Sequence, residues 1–487
     1  MMRYVLAVDN GSQSTKVSIV DERGRVHAQA QRPLQPSVHP AVGHVVHPGD
    51  DVWDSIKVAC REALSRFPGD LRDIGAVGLC TIRFCRAVLT GDGSLAEPLL
   101  SWMDERVSLP FSGHNPAARY LTSSSGYITH RLTGNRVDTA GNYQGVWPMD
   151  HATWRWSTDQ SVYAATGMPR EMLFDLVDPG DLLGVVSADA AASTGLPVGL
   201  PVYATSNDKA VEALGCGLRE ENTVLVSLGT YIAGMAVGRE LVEDSGGVFW
   251  TNFGSRPGQY LYESNGIRRG MWTVSWYRQL LADDGGTEEQ LNAGAAEIPP
   301  GSGGLMTLLD WLAPDDQPRR RGAMLGFDGT QGRFHIYRSI LEGISMTMHG
   351  HVDAMMSHLD RRPERLIVSG GGSKSDVMMQ IFADVFDLPA TRMRMSDAAG
   401  LGAAICAAVG SGIHPDWDSA VDAMVGAGKS AGRATAGGER VGGGVTFAPR
   451  ARNVAAYATL SRSYAGLRKH TDPLFAYLAS SSSATTR

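Results

Sequence analysis

The sequence predicts an α/β protein of two similarly built domains, residues 1–240 and 241–487, divided near residue 240. Three observations carry that expectation. The 487 residues are more than one hydrophobic core usually serves. Apolar strand patterns alternate with stretches of helical spacing. A strand–glycine turn–strand unit occurs twice, at 4–20 and at 223–237, each near the start of a long block, and reads as an internal repeat.

In chain order, residues 4–8 are a short apolar strand, a polar turn spans 9–16, and residues 17–20 form a second strand that turns through 21–24 into a third. Helical spacing runs over 51–67, and strand character returns at 74–79. An apolar strand at 201–205 leads into an apolar helix that opens at Asp208 and closes on glycines. The second hairpin follows at 223–237, with a further strand near 260–262. Helices are predicted over about 272–282 and 337–359, a buried strand over 365–368, and helices over 374–386 and 399–409. Residues 425–445, rich in Gly, Ala and Arg, read as a mobile loop, and the Ser-rich tail from Ser480 as disordered.

A formal charge of −7 argues against nucleic acid as a partner. The basic cluster Arg319, Arg320 and Arg321 lies between Pro318 and Gly322 and reads as a solvated loop. The five cysteines, Cys60, Cys80, Cys85, Cys216 and Cys406, form no Cys-x-x-Cys pair, which fits reduced thiols in a cytoplasmic protein. The N-terminus carries no apolar signal stretch. No run approaches the roughly 18–20 apolar residues of a membrane helix, so no membrane partner is expected. A homodimer is compatible with the chain.

Asp208 is the most informative residue. An acid at a strand's end and a helix's start is held ionised by free N–H groups and can accept a proton from a substrate hydroxyl. The competing reading is a plain helix cap. The loop 9–16 has the content of a phosphate cradle: small residues let backbone N–H groups face an anion, Lys16 adds a point charge, and Asp9 suits Mg²⁺ held through water. The competing reading is an ordinary hairpin turn. Gly229 and Thr230 make a second cradle of the same kind, and the segment 370–375, GGGSKS, joins a strand to a helix where a flat ring can approach the backbone. There the alternative is a cap by Ser373 or Ser375. His349 and His351 point in different directions on a helix and read as core or surface positions rather than a ligand pair.

The ordered set of segments resembles the FGGY family of carbohydrate kinases, within the actin-like ATPase superfamily. DNGSQSTK (9–16) is similar to the family's first phosphate motif, SNDKAVEALGCG (206–217) to its catalytic-Asp segment, and SLGTYIAG (227–234) to its second phosphate motif. SGGGSKSDVMMQIFADVFDLP (369–389) with GLGAAICAAVG (400–410) is similar to its adenosine segment, and SWMDERV (101–107) to a segment that lines the sugar site. The resemblance implies two ribonuclease-H-like domains, each a mixed sheet flanked by helices, with MgATP and a sugar in the cleft between. It implies Asp208 as general base, Asp9 and Asp208 near the Mg²⁺, Gly11, Ser12, Gln13, Gly229 and Thr230 near the phosphates, and Gly270 near the nucleotide. Gly371 and Ser375 would lie near the adenosine, and Arg83, Trp102, Asp104 and Asp208 near the sugar. The alternative for Arg83, Trp102 and Asp104, and for Arg106 beside them, is an ion-pair network under the cleft.

The sugar segment departs from better-known members. Glycerol kinases have an Arg-Glu pair where this chain has Arg83-Phe84, and xylulose kinases carry Gln-Met-His where it has Thr81-Ile82-Arg83. Lys209 stands where those groups have Gln or Asn. The expectation is an ATP-dependent kinase of a small sugar or polyol larger than glycerol, with Phe84 offering an apolar face. The rivals are a non-kinase actin-like ATPase and a degenerate kinase acting as a sugar sensor.

Overall fold

The computed structural model describes the chain except residues 1–3, 114, 282–285, 315–316, 394–396, 427–438, 442–443 and 485–487. Its first sheet is built on the hairpin β1 (Tyr4–Asn10) and β2 (Ser14–Asp21), extended by β3 (Val26–Pro33). Helix α1 (Asp51–Arg66) buries Val52, Ile56, Ala59, Ala63 and neighbours on one stripe against β2 and β3. Each such large apolar side chain, fully buried, contributes about 1.5–3 kcal/mol. The chain then supplies β4 (Ile74–Thr81), β5 (Leu182–Val185) and β6 (Pro201–Ala204), giving the order β5-β6-β4-β1-β2-β3. β1 is antiparallel to β2 and parallel to β4, so the sheet is mixed.

Helix α2 (Asp208–Gly215) follows, and the second sheet repeats the plan. Its hairpin is β7 (Thr223–Leu228) and β8 (Ile232–Gly238), extended by β9 (Phe249–Phe253) and β10 (Tyr260–Ser264). Helices α3 (Gly270–Leu280) and α4 (Arg333–His358) intervene before β11 (Arg365–Ser369), α5 (Asp376–Phe386) and β12 (Ala390–Met393). β7 is antiparallel to β8 and parallel to β11, as β1 is to β2 and β4. The two mixed, helix-flanked sheets are the ribonuclease-H-like pair expected of an actin-like ATPase.

The passage between the sheets is not near residue 240. β7 and β8 already belong to the second sheet, so the chain crosses at 205–222. It then returns: α6 (Ala398–Gly410) packs on α2, β1 and β4, burying Leu401, Ala404 and Ile405 with Val5, Ala7 and Val211. The helices cross backbone to backbone. A Cβ on Gly215 would meet the Ala398 carbonyl oxygen at 1.9 Å, and one on Gly402 the Val211 oxygen at 2.0 Å. Only glycine permits that approach.

Two further expectations change. Within 425–445, residues 439–441 are the strand β13 (Glu439–Val441) and Gly444 opens β14 (Gly444–Phe447), whose ladder with β12 fixes this part of the segment; most of the remainder lies outside the described residues. The Ser-rich tail continues the helix α7 (Ala451–Ala484), which is docked through Tyr457, Tyr464 and Phe475; residues 485–487 lie outside the described residues. Arg320 of the basic cluster pairs with Asp472 of that helix at 3.1 Å. Between β4 and β5 the chain folds into short helices and strand pairs that periodicity did not reveal, such as Arg86–Leu89 with Tyr120–Ser123, because four residues are too few to set a period. Among the described residues, no helix is long and apolar enough to cross a membrane.

Candidate active site

Asp208 is the first residue of α2 but not its cap. Asn207 caps the helix, its Oδ1 accepting from Ala210 N at 3.0 Å, while its Nδ2 donates to the carbonyls of Gly141 and Phe253, both at 3.1 Å. The helix-cap reading therefore belongs to Asn207, and the Asp208 carboxylate is left for other work. Its Oδ1 is buried, lies 3.7 Å from Arg83 Nε, and has no hydrogen-bond partner among the described residues. Burial pushes the carboxyl above its ordinary value; Arg83 and Lys209 pull it down. The result is a carboxylate of raised basicity beside cations that keep it chargeable.

Asp9 ends β1 opposite Lys16 on β2, with Nζ 3.9 Å from its Oδ2. The same Nζ lies 3.8 Å from Oδ1 of Asp397, which caps α6. Burial, and then the negative charge of Asp397, drive the Asp9 carboxyl up to about 7 against the pull of Lys16; Asp208 adds to the rise. Asp397 was not singled out from sequence; an acid immediately before the small-residue helix was the available signal. Gly11, Ser12 and Gln13 form the hairpin tip, closed by Gly11 N donating to Ser14 O at 3.1 Å, with Ser12 and Gln13 exposed.

The second hairpin tip is Gly229 and Thr230, with Thr230 exposed. Gly270 opens α3 beside it: Met271 N donates to Gly229 O at 3.3 Å, and a Cβ on Gly270 would strike Ile232 at 2.3 Å. Beneath the tip, Glu212 accepts from Ser227 Oγ at 2.7 Å and Ser369 Oγ at 2.9 Å, and pairs with Lys209 Nζ at 2.8 Å. Burial works to lower the Lys209 pKa, but Glu212 and Asp208 outweigh it, so Lys209 stays cationic. In the segment 370–375, Gly370 takes φ +82 where a Cβ would meet the Leu228 carbonyl, whereas Gly371 is exposed with open space around it. Ser375 caps α5, accepting from Met378 N, and its hydroxyl donates to Asn292 Oδ1 at 2.7 Å.

Four residues around Arg83 come from both sheets. Arg83, just beyond β4, makes a bidentate pair with Glu263 of β10 at 2.5 and 2.9 Å. Asn252 of β9 donates to Glu263 Oε1 at 2.5 Å. The guanidinium lies 5.2 Å from the centre of the Phe84 ring and 4.8 Å from that of Trp250, and the two rings stack at 5.8 Å. Phe84 holds φ 65, a costly conformation for a bulky side chain. Asp104 is not among these groups. It is 1% exposed, and its oxygens accept from Val45 N, Arg106 N, Arg106 Nε and Arg106 Nη2. Burial works to raise its carboxyl, but these hydrogen bonds hold it below the ordinary value. Asp104 and Arg106 are thus the ion-pair network, whereas Trp102 of this segment is presented, 47% exposed, as is Met103 beside it.

The acidic end fits a divalent cation. Asp208 Oδ1 and Asp397 Oδ2 are buried without hydrogen-bond partners among the described residues, and Asp9 is starved of positive charge. No three His, Cys, Asp or Glu among the described residues are grouped closely enough to hold a metal alone. A Mg²⁺ carried with phosphates and its own water needs few protein ligands. His349 meets the ring of Phe386 edge-on at 5.0 Å, a packing contact.

Comparison with known proteins fits this geometry. Residues 224–411 match the model of the C-terminal domain of the FGGY family of carbohydrate kinases. The chain is 46% identical over 432 residues to an uncharacterized sugar kinase, YgcE, of Escherichia coli (strain K12), covering 87% of this chain and 88% of that protein. It is 25% identical over 514 residues to the xylulose kinase of Bacillus subtilis (strain 168), covering 97% and 98% of the two chains. The crystal structure of xylulose kinase from Rhodospirillum rubrum shares the fold, with a TM-score of 0.82 at 24% identity over 97% of this chain and 100% of that one. The chain belongs to the FGGY family of carbohydrate kinases. It is a phosphotransferase with an alcohol group of a small sugar or polyol as acceptor.

Proposed function

We propose that the protein phosphorylates, with ATP and Mg²⁺, a hydroxyl of a ketose or sugar alcohol larger than glycerol, and that Asp208 is the general base. The observation that supports this most is the Asp208 carboxylate, relieved of capping by Asn207 and carrying an unpartnered oxygen. Asp208 accepts the proton of the attacking hydroxyl, and its raised basicity suits that task. Arg83 and Lys209 oppose the protonation of Asp208 before substrate arrives. Backbone N–H groups of Gly11, Ser12, Gln13, Gly229 and Thr230 orient the phosphates, with Gly270 beside them, and Gly371 and Ser375 flank the adenosine. Asp9 and Asp208 would hold Mg²⁺, which when bound neutralises charge on the transferred group. Trp102 and the Phe84 face cover the carbon side of the acceptor. Five buried free thiols suit a cytoplasmic setting.

An ADP-release assay over polyols, ketoses and aldoses of about three to seven carbons tests the reading. The expected result is turnover of an acceptor longer than glycerol, lost by about 10²–10⁴-fold in Asp208→Ala while nucleotide binding persists. Glycerol outperforming every five- and six-carbon acceptor would refute the size assignment. Near-wild-type turnover in Asp208→Ala would refute the base.

A further inference from the structure

The carboxylate missing at position 84 has a counterpart across the cleft. We propose that Glu263 is a substrate-binding, specificity-determining carboxylate, delivered to the acceptor site from the second sheet and oriented by Arg83 and Asn252. This rests on the sugar-kinase reading above.

Glu263 is an acid on an interior strand, its side chain 3% exposed, which is expensive unless charge and hydrogen bonds are supplied. Arg83 supplies both through a planar fork, and Asn252 fixes the remaining rotation by donating to Oε1. A carboxylate offers about four acceptor positions. Oε1 accepts from Arg83 and Asn252, and Oε2 from Arg83 alone, so Oε2 keeps capacity for a hydroxyl. The guanidinium that holds Glu263 is also the group 3.7 Å from Asp208 Oδ1, so a single side chain links the acceptor carboxylate to the base. The walls of this space are aromatic. Trp250 is 37% exposed, and Phe84 is held against it in a strained backbone conformation, so both rings offer apolar faces to C–H groups. A carboxylate to take a hydroxyl, flanked by stacked rings, is the usual chemistry for gripping a polyol. Because Arg83 and Glu263 belong to different sheets, 180 residues apart, the acceptor site is complete only when the sheets are together.

The test uses the full-length protein. Sugar and ATP KM are measured separately with the best acceptor from the assay above, for wild type, Glu263→Gln and Asn252→Ala, together with melting curves with and without sugar. Glu263→Gln is expected to raise sugar KM at least about tenfold, leave ATP KM within about twofold, and abolish sugar-induced stabilisation. Asn252→Ala removes the donor to Glu263 Oε1, and with it the acceptor of Phe253 N, and is expected to shift sugar KM in the same direction by about threefold while ATP KM stays within about twofold. A sugar KM within about twofold of wild type, or sugar and ATP KM rising by the same factor, overturns the proposal and leaves Glu263 a latch between sheets. If Glu263→Gln does not fold, Asn252→Ala decides by the same criteria. Wild-type protein that neither turns over nor is stabilised by any acceptor overturns the functional reading and this inference together; turnover unaffected by the variants overturns this inference alone.

Discussion

The two hairpins are copies of one plan with different chemistry at the same place. β1 ends on Asp9 and Asn10, followed by Gly11; β7 ends on Ser227 and Leu228, followed by Gly229. Each strand is antiparallel to its hairpin partner and parallel to the next strand inward. In the first copy the acid faces a single lysine and a second buried acid, Asp397, and its carboxyl is driven up to about 7 by burial and that neighbour. In the second copy the acid is replaced by a serine whose hydroxyl is spent on Glu212, and Glu212 is neutralised by Lys209. One tip therefore sets two acids against one lysine, while the other pairs its acid and its lysine internally. A duplicated backbone fixes where the tips stand, and one side chain decides what each can hold.

That contrast is open to direct attack. Asp9→Asn is expected to lower turnover by about 10–100-fold and to raise the Mg²⁺ concentration needed for half-maximal rate, the size seen when groups around a bound metal are lost. Ser227→Ala is expected instead to cost about 1–2 kcal/mol of stability, read by denaturant melts, with little change in Mg²⁺ dependence. Equal Mg²⁺ effects in both variants would break the comparison.

The packing of α6 on α2 gives the next effect. Gly402→Ala places a Cβ 2.0 Å from the Val211 carbonyl and is expected to destabilise the fold by about 1–3 kcal/mol. Gly350→Ala, in α4 with open space around its Cβ, is expected to be neutral or slightly stabilising. Thermal melts of the pair check this; an unshifted melting temperature in Gly402→Ala would mean that α2 and α6 separate freely.

The last effect is pH-dependent and belongs to the first hairpin only. Asp9 in the metal-free folded protein titrates near 7 against an ordinary 3.8, so the folded state binds that proton more tightly than the unfolded state. Its contribution is complete below about 4 and is lost as pH rises through about 7. In EDTA, wild type should therefore lose stability relative to Asp9→Asn across that window, with the gap flat above it. A gap that narrows as pH rises would reverse the assigned sign.

Local signals carried much of the site. The places of Asp9, Gly11, Asp208 and the second tip at strand and helix ends were legible because each sits in one contiguous strand–turn or strand–helix unit, where hydrogen bonding and side-chain period are set within a few residues. Asp104 misled because its segment looks like a presented acid; Val45 N, 59 residues away, takes up part of its carboxylate. The division near residue 240 failed because the second hairpin reads as the end of one block, although its first strand, β7, pairs with β11, more than a hundred residues onward.

What the sequence by itself determined is the pair of repeated hairpins, the family they belong to, and the positions of Asp9 at the end of β1 and Asp208 at the start of α2. These follow from periodicity and short-range backbone chemistry. Only the tertiary structure decided which acids are spent and which are free: Asn207 takes the cap from Asp208, Arg106 consumes Asp104, and Glu263 arrives from the opposite sheet to meet Arg83. The physical reason is that a carboxylate's availability depends on all the donors that surround it: Arg106 lies two residues from Asp104, but Val45 N reaches Asp104 from 59 residues away and Arg83 meets Glu263 across 180.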